Sequence, residues 1–212
     1  VIDIAIEKNI KKVVALSTDK ACNPVNLYGA TKLASDKLFI SANLHTQNQE
    51  NSFSVVRYGN VMGSRGSVIP FFQNYKENYL PITDLRMTRF MITIKQGVEL
   101  VWHALNDSIG GEIYVHKIPS MKVVDIANCI KPDLQHKVIG IRPGEKIHEV
   151  MINEEDSAST YEYDWYYKIL PTLNNWHQDT GRIKDGKKIK SDFIYSSDEN
   201  TLWLSKEDLD EY

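Results

Sequence analysis

The 212-residue sequence has only two cysteines, no long apolar run and no large excess of charge of one sign. Cys22 and Cys129 lie far apart and lack the spacing of metal ligands, which favours a reduced, cytoplasmic protein. No window approaches the ~18 consecutive apolar residues of a membrane-spanning helix, so we expect no membrane partner. The net charge of −3 gives no general attraction to nucleic acid, so we expect no nucleic-acid partner.

The sequence also lacks the glycine-rich turn of dinucleotide-binding folds. Nothing matches G-x-G-x-x-G between a strand and a helix, and the glycines at 63–66 do not fit that pattern. The chain starts at Val1, and residues 1–8 have the pattern of the end of an amphipathic helix. We therefore expect the chain to begin inside a fold and to bind a dinucleotide weakly when it is alone.

The order of apolar segments predicts an α/β fold. An apolar run at 12–17 and another at 53–58 read as strands, and the helical spacing at 28–42 between them predicts a crossover joining parallel strands. A polar surface loop is expected at 47–51. Further predictions are helices at 71–78, 93–105 and 122–130, the last with Ser120 as N-cap, and strands at 112–116, 137–141, 165–170 and 193–195.

One stretch carries most of the chemistry. Tyr28 and Lys32 are four residues apart, so a helix places them on one face, where the ammonium favours the phenolate. Such a pair can remove a proton from an alcohol while a hydride leaves. The pair alone also occurs by chance on a solvated helix face. The hydroxyl of Thr18 at the end of the preceding strand strengthens the catalytic interpretation, because it can bind the same substrate oxygen.

Six motifs together resemble the extended short-chain dehydrogenase/reductases that act on nucleotide sugars. They are STDKA (17–21), LYGATK (27–32), VVRYGNV (55–61), GSRGSVIPFF (63–72), MTRF (87–90) and RPGEK (142–146). Within this family the sequence is most similar to the inverting UDP-N-acetylglucosamine 4,6-dehydratases of pseudaminic acid biosynthesis, and the resemblance fades after about residue 156. Related membrane-bound dehydratases commonly have methionine at the position of Tyr28, so this tyrosine favours the soluble type.

The resemblance implies a hydro-lyase that uses and regenerates NADP. Tyr28 and Lys32 are expected to assist hydride transfer and, with Val61, to contact the cofactor. Lys20 is expected to remove the proton from carbon 5 of the sugar, and Asp19 to protonate the hydroxyl that leaves carbon 6. Thr18 completes the expected catalytic set. The alternative for Asp19 and Lys20 is an exposed pair in a turn.

The resemblance also assigns a UDP-sugar site. Arginine suits a diphosphate because its planar fork matches phosphate oxygens. The expected substrate-binding residues are Asn60, Thr83, Arg89, Arg142 and Glu145, with Glu145 accepting from ribose hydroxyls and the loop 65–69 near the uridine. The alternative for each arginine is a surface ion pair. Six scattered histidines predict no metal site, and the basic run at 182–190 is expected to be a solvated loop.

These inferences define an expected architecture, which is the C-terminal part of a Rossmann-type parallel sheet with helices plus a smaller α/β substrate-binding lobe. An incomplete Rossmann-type domain carrying the catalytic motif is expected at 1–62, the substrate lobe mainly at 63–156, and a C-terminal extension at 157–212. The resemblance further implies a homo-oligomer, a cytoplasmic location and a role in flagellin glycosylation. The alternatives are a nucleotide-sugar epimerase, a retaining dehydratase or a truncated module without catalysis.

Overall fold

A computed structural model describes residues 1–46 and 51–210, so most of the loop predicted at 47–51 lies outside the described residues. The α-helices are α1 (Ile2–Glu7), α2 (Leu27–Ala42), α3 (Val68–Asn74), α4 (Ile94–Asp107), α5 (Val123–Ile130), α6 (Glu154–Ser157), α7 (Thr180–Ile183) and α8 (Lys206–Asp210). The strands are β1 (Lys12–Thr18), β2 (Ser52–Tyr58), β3 (Asn60–Val61), β4 (Tyr79–Ile82), β5 (Thr88–Ile92), β6 (Ile113–His116), β7 (Ser120–Lys122), β8 (Gln135–Val138), β9 (Val150–Ile152), β10 (Thr160–Glu162), β11 (Tyr166–Ile169), β12 (Lys187–Lys188) and β13 (Tyr195–Ser196). Two 3₁₀ helices cover Asp19–Ala21 and Leu173–Gln178.

The largest sheet has six strands in the order β1-β2-β6-β11-β10-β12. Strands β1, β2 and β6 are parallel, and β1 and β2 stay in register from Lys12 opposite Ser52 to Thr18 opposite Tyr58. Parallel strands place their carboxyl ends at one edge of a sheet, where ligands of α/β proteins bind. The predicted crossover of strand, helix and parallel strand is confirmed.

The core of this sheet explains its apolar sequence. Val55 and Val56 of β2 are fully buried, and Tyr114 and Val115 of the adjacent β6 are fully buried too. A central strand covered on both faces needs apolar residues at every position, which is why this segment shows no alternation. Within the described chain β1 pairs only with β2, and its Leu16 is 53% exposed.

The smaller part of the molecule has its own core. Strands β3, β5 and β7 form one sheet, and β4 pairs with β8 in a parallel two-stranded sheet. Phe72 of α3 and Ile126 of α5 meet Leu80 and Ile82 of β4 there. This layer follows directly from β2 through Gly59, where an added Cβ would lie 2.5 Å from the Cβ of Phe90. Only glycine permits that approach, so the two layers meet closely at this point.

Several element boundaries differ from the predictions. Ser120 does not cap α5; it is a fully buried residue of β7, and Lys122 occupies the cap position without a side-chain bond. Helix α3 begins at Val68 rather than 71, because Pro70 is tolerated in a first helical turn, where its missing N–H has no helical acceptor. The strand predicted at 137–141 lies at Gln135–Val138.

The segment after residue 156 joins the main sheet. Strand β11 pairs with β6 in antiparallel orientation, β10 pairs with β11, and β12 lies at the edge. Arg182 is buried and lies 2.6 Å from the Glu112 carboxylate at the start of β6. The three-part division stays a prediction, and its boundary at 156 falls inside α6. Among the described residues no helix is both long and apolar enough to span a membrane.

Candidate active site

The end of β1 carries Asp19 and Lys20, which form an ion pair and are the predicted acid–base pair. The Thr18 hydroxyl donates to Asp19 Oδ1 at 2.7 Å, and Lys20 Nζ lies 2.9 Å from the same oxygen. Asp19 is fully buried, whereas the Lys20 side chain is about one-third exposed. Asp19 Oδ2 is buried and has no hydrogen-bond partner among the described residues. Thr18, Asp19 and Lys20 therefore form one contiguous group with an unsatisfied oxygen.

Helix α2 begins directly against this group. Asn26 caps the helix by accepting a 2.8 Å hydrogen bond from the Gly29 amide. A Cβ on Gly29 would lie 2.3 Å from the Lys20 carbonyl oxygen, so only glycine allows the helix to approach the turn this closely. Tyr28 and Lys32 thus lie beside the acid–base pair, as the sequence predicts for one site.

The tyrosine and lysine face the ends of the parallel strands. Tyr28 is half exposed, and within the described chain no hydrogen bond reaches its hydroxyl. Lys32 Nζ donates to the Leu16 carbonyl of β1 at 3.4 Å. Burial, together with the electrostatic effect of Tyr28, raises the pKa of Tyr58 at the end of β2 above its ordinary value. The Tyr28 hydroxyl is therefore left available at the strand ends.

A buried polar network under this site was not found from the sequence. Ser17 Oγ donates to Asp36 Oδ2 at 2.8 Å, and Asp36 lies one turn beyond Lys32 on α2. The fully buried Arg57 guanidinium lies 3.5 Å from Asp36 and 2.8 Å from Asp156. Burial raises the pKa of the Asp36 carboxyl, with Arg57 opposing the rise. The sequence feature that could have revealed this network is Arg57, because an arginine inside a buried strand needs buried partners for its charge.

The five predicted substrate residues line one cavity. Its volume is about 260 Å³, and its wall includes Asn60, Thr83, Arg89, Arg142 and Glu145 together with Gly66 and Val68 of the predicted loop. Asn60 Oδ1 is buried without a hydrogen-bond partner among the residues that the structure describes. A free buried acceptor in a cavity suits a ligand donor. The structure therefore brings together residues that span 86 positions of sequence, from 60 to 145.

The two arginines of the cavity differ in their contacts. The Arg142 side chain is 64% exposed and lies 4.0 Å from Glu145. The Arg89 side chain is 12% exposed, and its guanidinium donates to the carbonyls of Thr88, Ile147 and Lys146 at 2.6 to 3.1 Å. Arg142 is thus free to reach a ligand, whereas Arg89 also holds the loop that carries RPGEK.

The segment 142–153, which is the RPGEK loop together with β9, connects the cavity to the predicted acid–base pair. Asn26 Nδ2 donates to the Gly144 carbonyl at 2.8 Å, so the residue that caps α2 also binds the loop. Lys146 Nζ donates to the Cys22 carbonyl at 2.6 Å, and Asn153 Nδ2 donates to Asn23 Oδ1 at 2.9 Å. Sequence reasoning did not find these contacts, because each joins residues more than 110 positions apart.

Val61, the remaining residue predicted to contact the cofactor, lies next to Asn60. Val61 is half-buried in β3, pairs with Ile92 and packs against the core of the main sheet, next to Asn60. Its cofactor role stays a prediction. A larger apolar cavity of about 670 Å³ lies among Met62, Ile69, Ile94 and Ile130, and of the predicted site it includes only Ile69 of the loop 65–69. Among the described residues no group of three or more histidine, cysteine, aspartate or glutamate side chains could hold a metal ion.

Comparison with known proteins identifies the family. Residues 1–171 match the family described as polysaccharide biosynthesis protein. The chain belongs to this family. The matched region of the polysaccharide biosynthesis family contains every residue predicted for the site, from Thr18 to Glu145.

The chain is also similar to individual proteins. The chain is 53% identical to a UDP-N-acetylglucosamine 4,6-dehydratase (inverting) of Campylobacter jejuni, over 99% of the chain and 65% of that protein. It is 36% identical to a UDP-glucose 4-epimerase of Rickettsia canadensis, over 100% of the chain and 63% of that protein. The solved structure of Pen from Bacillus thuringiensis is 35% identical with a TM-score of 0.84, over 99% of this chain and 64% of that one. The predicted α/β fold is confirmed, and the chain spans about 65% of the length of these curated relatives.

Proposed function

We propose that the protein containing this chain is a hydro-lyase that carries out the 4,6-dehydration of UDP-N-acetylglucosamine, with inversion at carbon 5. The observation that carries the proposal is the Asp19–Lys20 pair at the end of β1, pressed against the helix that bears Tyr28 and Lys32. An epimerase needs redox chemistry at carbon 4 alone. An adjacent acid and base is what elimination of water requires in addition. Similarity to the Campylobacter enzyme supports the same assignment.

The residues present fit the reactive end of a nicotinamide cofactor, which we propose to be NADP. When bound, this group would supply a hydride acceptor at carbon 4 and a hydride donor at carbon 6, and it would be regenerated in each cycle. The half-exposed Tyr28 hydroxyl is unpaired among the described residues, and Lys32 sits at the β1 carbonyl beside it. Tyr28, Lys32 and Val61 are the residues of this chain that would hold that end.

Each residue then has a specific proton to hold or move. Tyr28 takes the proton of the hydroxyl on carbon 4, with Lys32 stabilising the phenolate. The resulting ketone acidifies carbon 5, from which Lys20 removes a proton. Asp19 protonates the hydroxyl that leaves carbon 6 as water. A proton from solvent, delivered to carbon 5 on the opposite face, inverts that centre, and Tyr28 releases the proton that it took from the carbon 4 hydroxyl to solvent, so the proton count is restored.

The ion pair between Asp19 and Lys20 differs from the form needed for catalysis only in which of the two residues holds one proton. Lys20 must be neutral to act as a base, and Asp19 must be protonated to act as an acid. Transfer of one proton from Lys20 Nζ to Asp19 Oδ1 across their 2.9 Å contact creates both at once. The Thr18 hydroxyl, which donates to the same oxygen, orients the carboxyl for this exchange.

The cavity residues supply the contacts that a UDP-sugar needs. The exposed guanidinium of Arg142 can bind the diphosphate, and Glu145 beside it can accept from ribose hydroxyls. Asn60 offers its unpaired oxygen to a donor on the substrate, and Thr83 lines the same wall. Arg89 forms part of the cavity wall, where backbone carbonyls hold its guanidinium. The resemblance further supports a cytoplasmic homo-oligomer acting in pseudaminic acid biosynthesis for flagellin glycosylation.

The test is product analysis with the protein expressed from its full open reading frame. After incubation with UDP-N-acetylglucosamine and NADP, proton NMR should show the new methyl signal of a 6-deoxy-4-keto sugar with inverted carbon 5. A methyl product that keeps the configuration of carbon 5 indicates a retaining dehydratase. A product epimerised at carbon 4 without a methyl group indicates an epimerase, the activity named for the Rickettsia relative. An absence of any product contradicts catalysis.

A tyrosine variant tests the assignment of the base. Tyr28→Phe should form no bound reduced cofactor in a single turnover, because the proton on the carbon 4 hydroxyl then has no acceptor. Tyr161→Phe is the matched control, since the Tyr161 hydroxyl donates to the His177 carbonyl from β10, three strands away from β2. Normal reduction of the cofactor by Tyr28→Phe contradicts the assignment.

A further inference from the structure

Glu149 is a buried carboxylate that neither the sequence reasoning nor the proposed reaction uses. It is 3% exposed, and its backbone amide donates to Ser197 Oγ at 2.9 Å, just before β9. Its carboxylate lies 3.5 Å from Lys146 Nζ and 3.8 Å from Arg89 Nε. Its Oε2 has no hydrogen-bond partner within the described chain. A buried anion with an unsatisfied oxygen is costly, so its retention calls for a reason.

Glu149 immediately precedes a strand that packs against the turn bearing Asp19 and Lys20. Strand β9 packs against the turn Asp19–Ala21, and Lys146 contacts both Glu149 and the Cys22 carbonyl that follows the turn. Asp19 Oδ2 is the other buried carboxylate oxygen here without a partner among the described residues. Two carboxyl groups that share one small buried region make simultaneous ionisation unfavourable.

The charges around Glu149 come from three elements. Asp19 and Lys20 face it from the turn, Arg89 from β5 and Lys146 from its own loop. Burial raises the pKa of the Glu149 carboxyl, Asp19 adds to the rise, and Lys20, Arg89 and Lys146 oppose it. Asp19 is fully buried, whereas the Lys20 side chain is about one-third exposed, so solvent screens the charge of Glu149 less at Asp19 than at Lys20. The charge on Glu149 therefore acts more on Asp19 than on Lys20.

We propose that Glu149 is a positioning residue of the proposed dehydration, acting through Asp19 to favour the arrangement in which Asp19 holds the proton and Lys20 is neutral. The inference rests on the proposed function. A negative charge nearby disfavours ionised Asp19 and favours charged Lys20. Because the effect on Asp19 is larger, the net result moves the shared proton from Lys20 Nζ to Asp19 Oδ1. One N–H bond breaks and one O–H bond forms, so the proton count is unchanged.

A purely structural role is the competing explanation. In that case Glu149 only joins Arg89 to Lys146, and its loss lowers stability and substrate affinity alike. A charge that acts on Asp19 has a different signature, because it changes the pH at which the acid loses its proton. The pH profile of turnover therefore separates the two roles.

The experiment measures kcat against pH for the full-length enzyme with UDP-N-acetylglucosamine and NADP. Glu149→Gln keeps the shape and removes the charge, so Asp19 should lose its proton at lower pH. The alkaline limb of the profile of kcat against pH should move to lower pH by about one unit, and kcat at neutral pH should fall about tenfold. Glu149→Asp, which keeps the charge, should restore most of that shift. Glu112→Gln is the matched control, since Glu112 is an equally buried, ion-paired carboxylate at the opposite end of the sheet.

Lys146→Gln gives a test of the opposite sign. It removes a cation that offsets Glu149, so the alkaline limb should move to higher pH. This variant also keeps the proposal testable if Glu149→Gln does not fold. The proposal is overturned if the alkaline limb of the kcat profile stays at the wild-type pH in every folded variant of Glu149 and Lys146. A wild-type enzyme that forms no methyl product contradicts the proposed function instead, so the two failures are distinguishable.

Discussion

The Lys146 ammonium donates a 2.6 Å hydrogen bond to the backbone carbonyl of Cys22. This contact joins the loop that carries Arg142 and Glu145 to the segment that follows Asp19 and Lys20. The loop that lines the substrate cavity is therefore held on the acid–base pair by a specific contact. Changes on one side are expected to be felt on the other.

Asn26 tests this connection, because it has two separable roles. Asn26→Asp keeps the oxygen that caps α2 but loses the Nδ2 donor to the Gly144 carbonyl. It should raise KM for the UDP-sugar several-fold, since the loop is less firmly held, while stability stays nearly unchanged. Asn26→Ala loses both contacts and should also lower the free energy of unfolding by about 1 kcal/mol. Steady-state kinetics and urea unfolding provide the two readouts, and an unchanged KM in both variants contradicts the connection.

The close approach at Gly29 predicts a steric effect. In Gly29→Ala the new methyl group would lie 2.3 Å from the Lys20 carbonyl oxygen and 2.9 Å from Pro24 Cβ. We expect a loss of about 2 kcal/mol in stability and a displaced Tyr28. Gly97→Ala in α4 is the control, because no atom lies within 4 Å of its added Cβ. It should stabilise the protein by about 0.5 to 1 kcal/mol. Thermal unfolding measures the stability of both variants. Equal changes in stability contradict the steric effect predicted at Gly29.

The two cavity arginines should give different losses. Arg142→Gln should raise KM for the UDP-sugar at least tenfold with little change in stability, because the Arg142 side chain is exposed and free of backbone contacts. Arg89→Gln should lower stability as well, since the Arg89 guanidinium holds three backbone carbonyls of this region. Kinetics paired with denaturant unfolding separate the roles. Equal stability of the two variants argues against the assigned contacts.

Asp107 predicts a pH dependence of stability. Its carboxylate accepts hydrogen bonds from Lys168, Lys184 and Tyr114, and these outweigh burial and lower its pKa well below the ordinary value. A depressed carboxyl pKa stabilises the fold above the unfolded value near ~3.9, and that contribution is lost as the pH falls further.

The corresponding variant should leave Lys168 buried without its anion. Asp107→Asn is expected to cost about 3 kcal/mol at pH 7 and to flatten the loss of stability below about pH 4. Glu162→Gln breaks the more exposed ion pair with Lys117 and should cost less than about 1 kcal/mol. Urea unfolding between pH 2.5 and 7 measures both, and equal costs contradict the role given to burial.

The local arrangement of the candidate site follows from sequence spacing, while the roles of its residues stay predictions. The Asp19–Lys20 pair and the Tyr28–Lys32 face follow from the end of one strand and the start of one helix, where spacing alone fixes the neighbours. The parallel pairing of β1 with β2 follows from apolar runs joined by a helix. The five cavity residues came from resemblance rather than from any rule of periodicity.

The remainder depends on contacts that no local pattern encodes. Lys146 and Glu149 are ordinary charged residues in sequence, and only the packing of β9 against the turn gives them partners. The Ser120 error has the same origin, since a serine before a helix is a good cap unless tertiary pairing buries it. Strands β10 and β12 are short and charged, so they show no alternation that would reveal their place in the sheet.

The region beyond residue 171 has a practical consequence for expression boundaries. Arg182 supplies the cation that neutralises Glu112, and its backbone carbonyl accepts from the buried Lys168. A version shortened to the end of the family match would leave the buried Glu112 without its ion-pair partner and would remove one of the two acceptors of the buried Lys168. An expressed version of this chain should therefore extend at least through α7, although the basic run at 182–190 taken alone predicts a solvated loop.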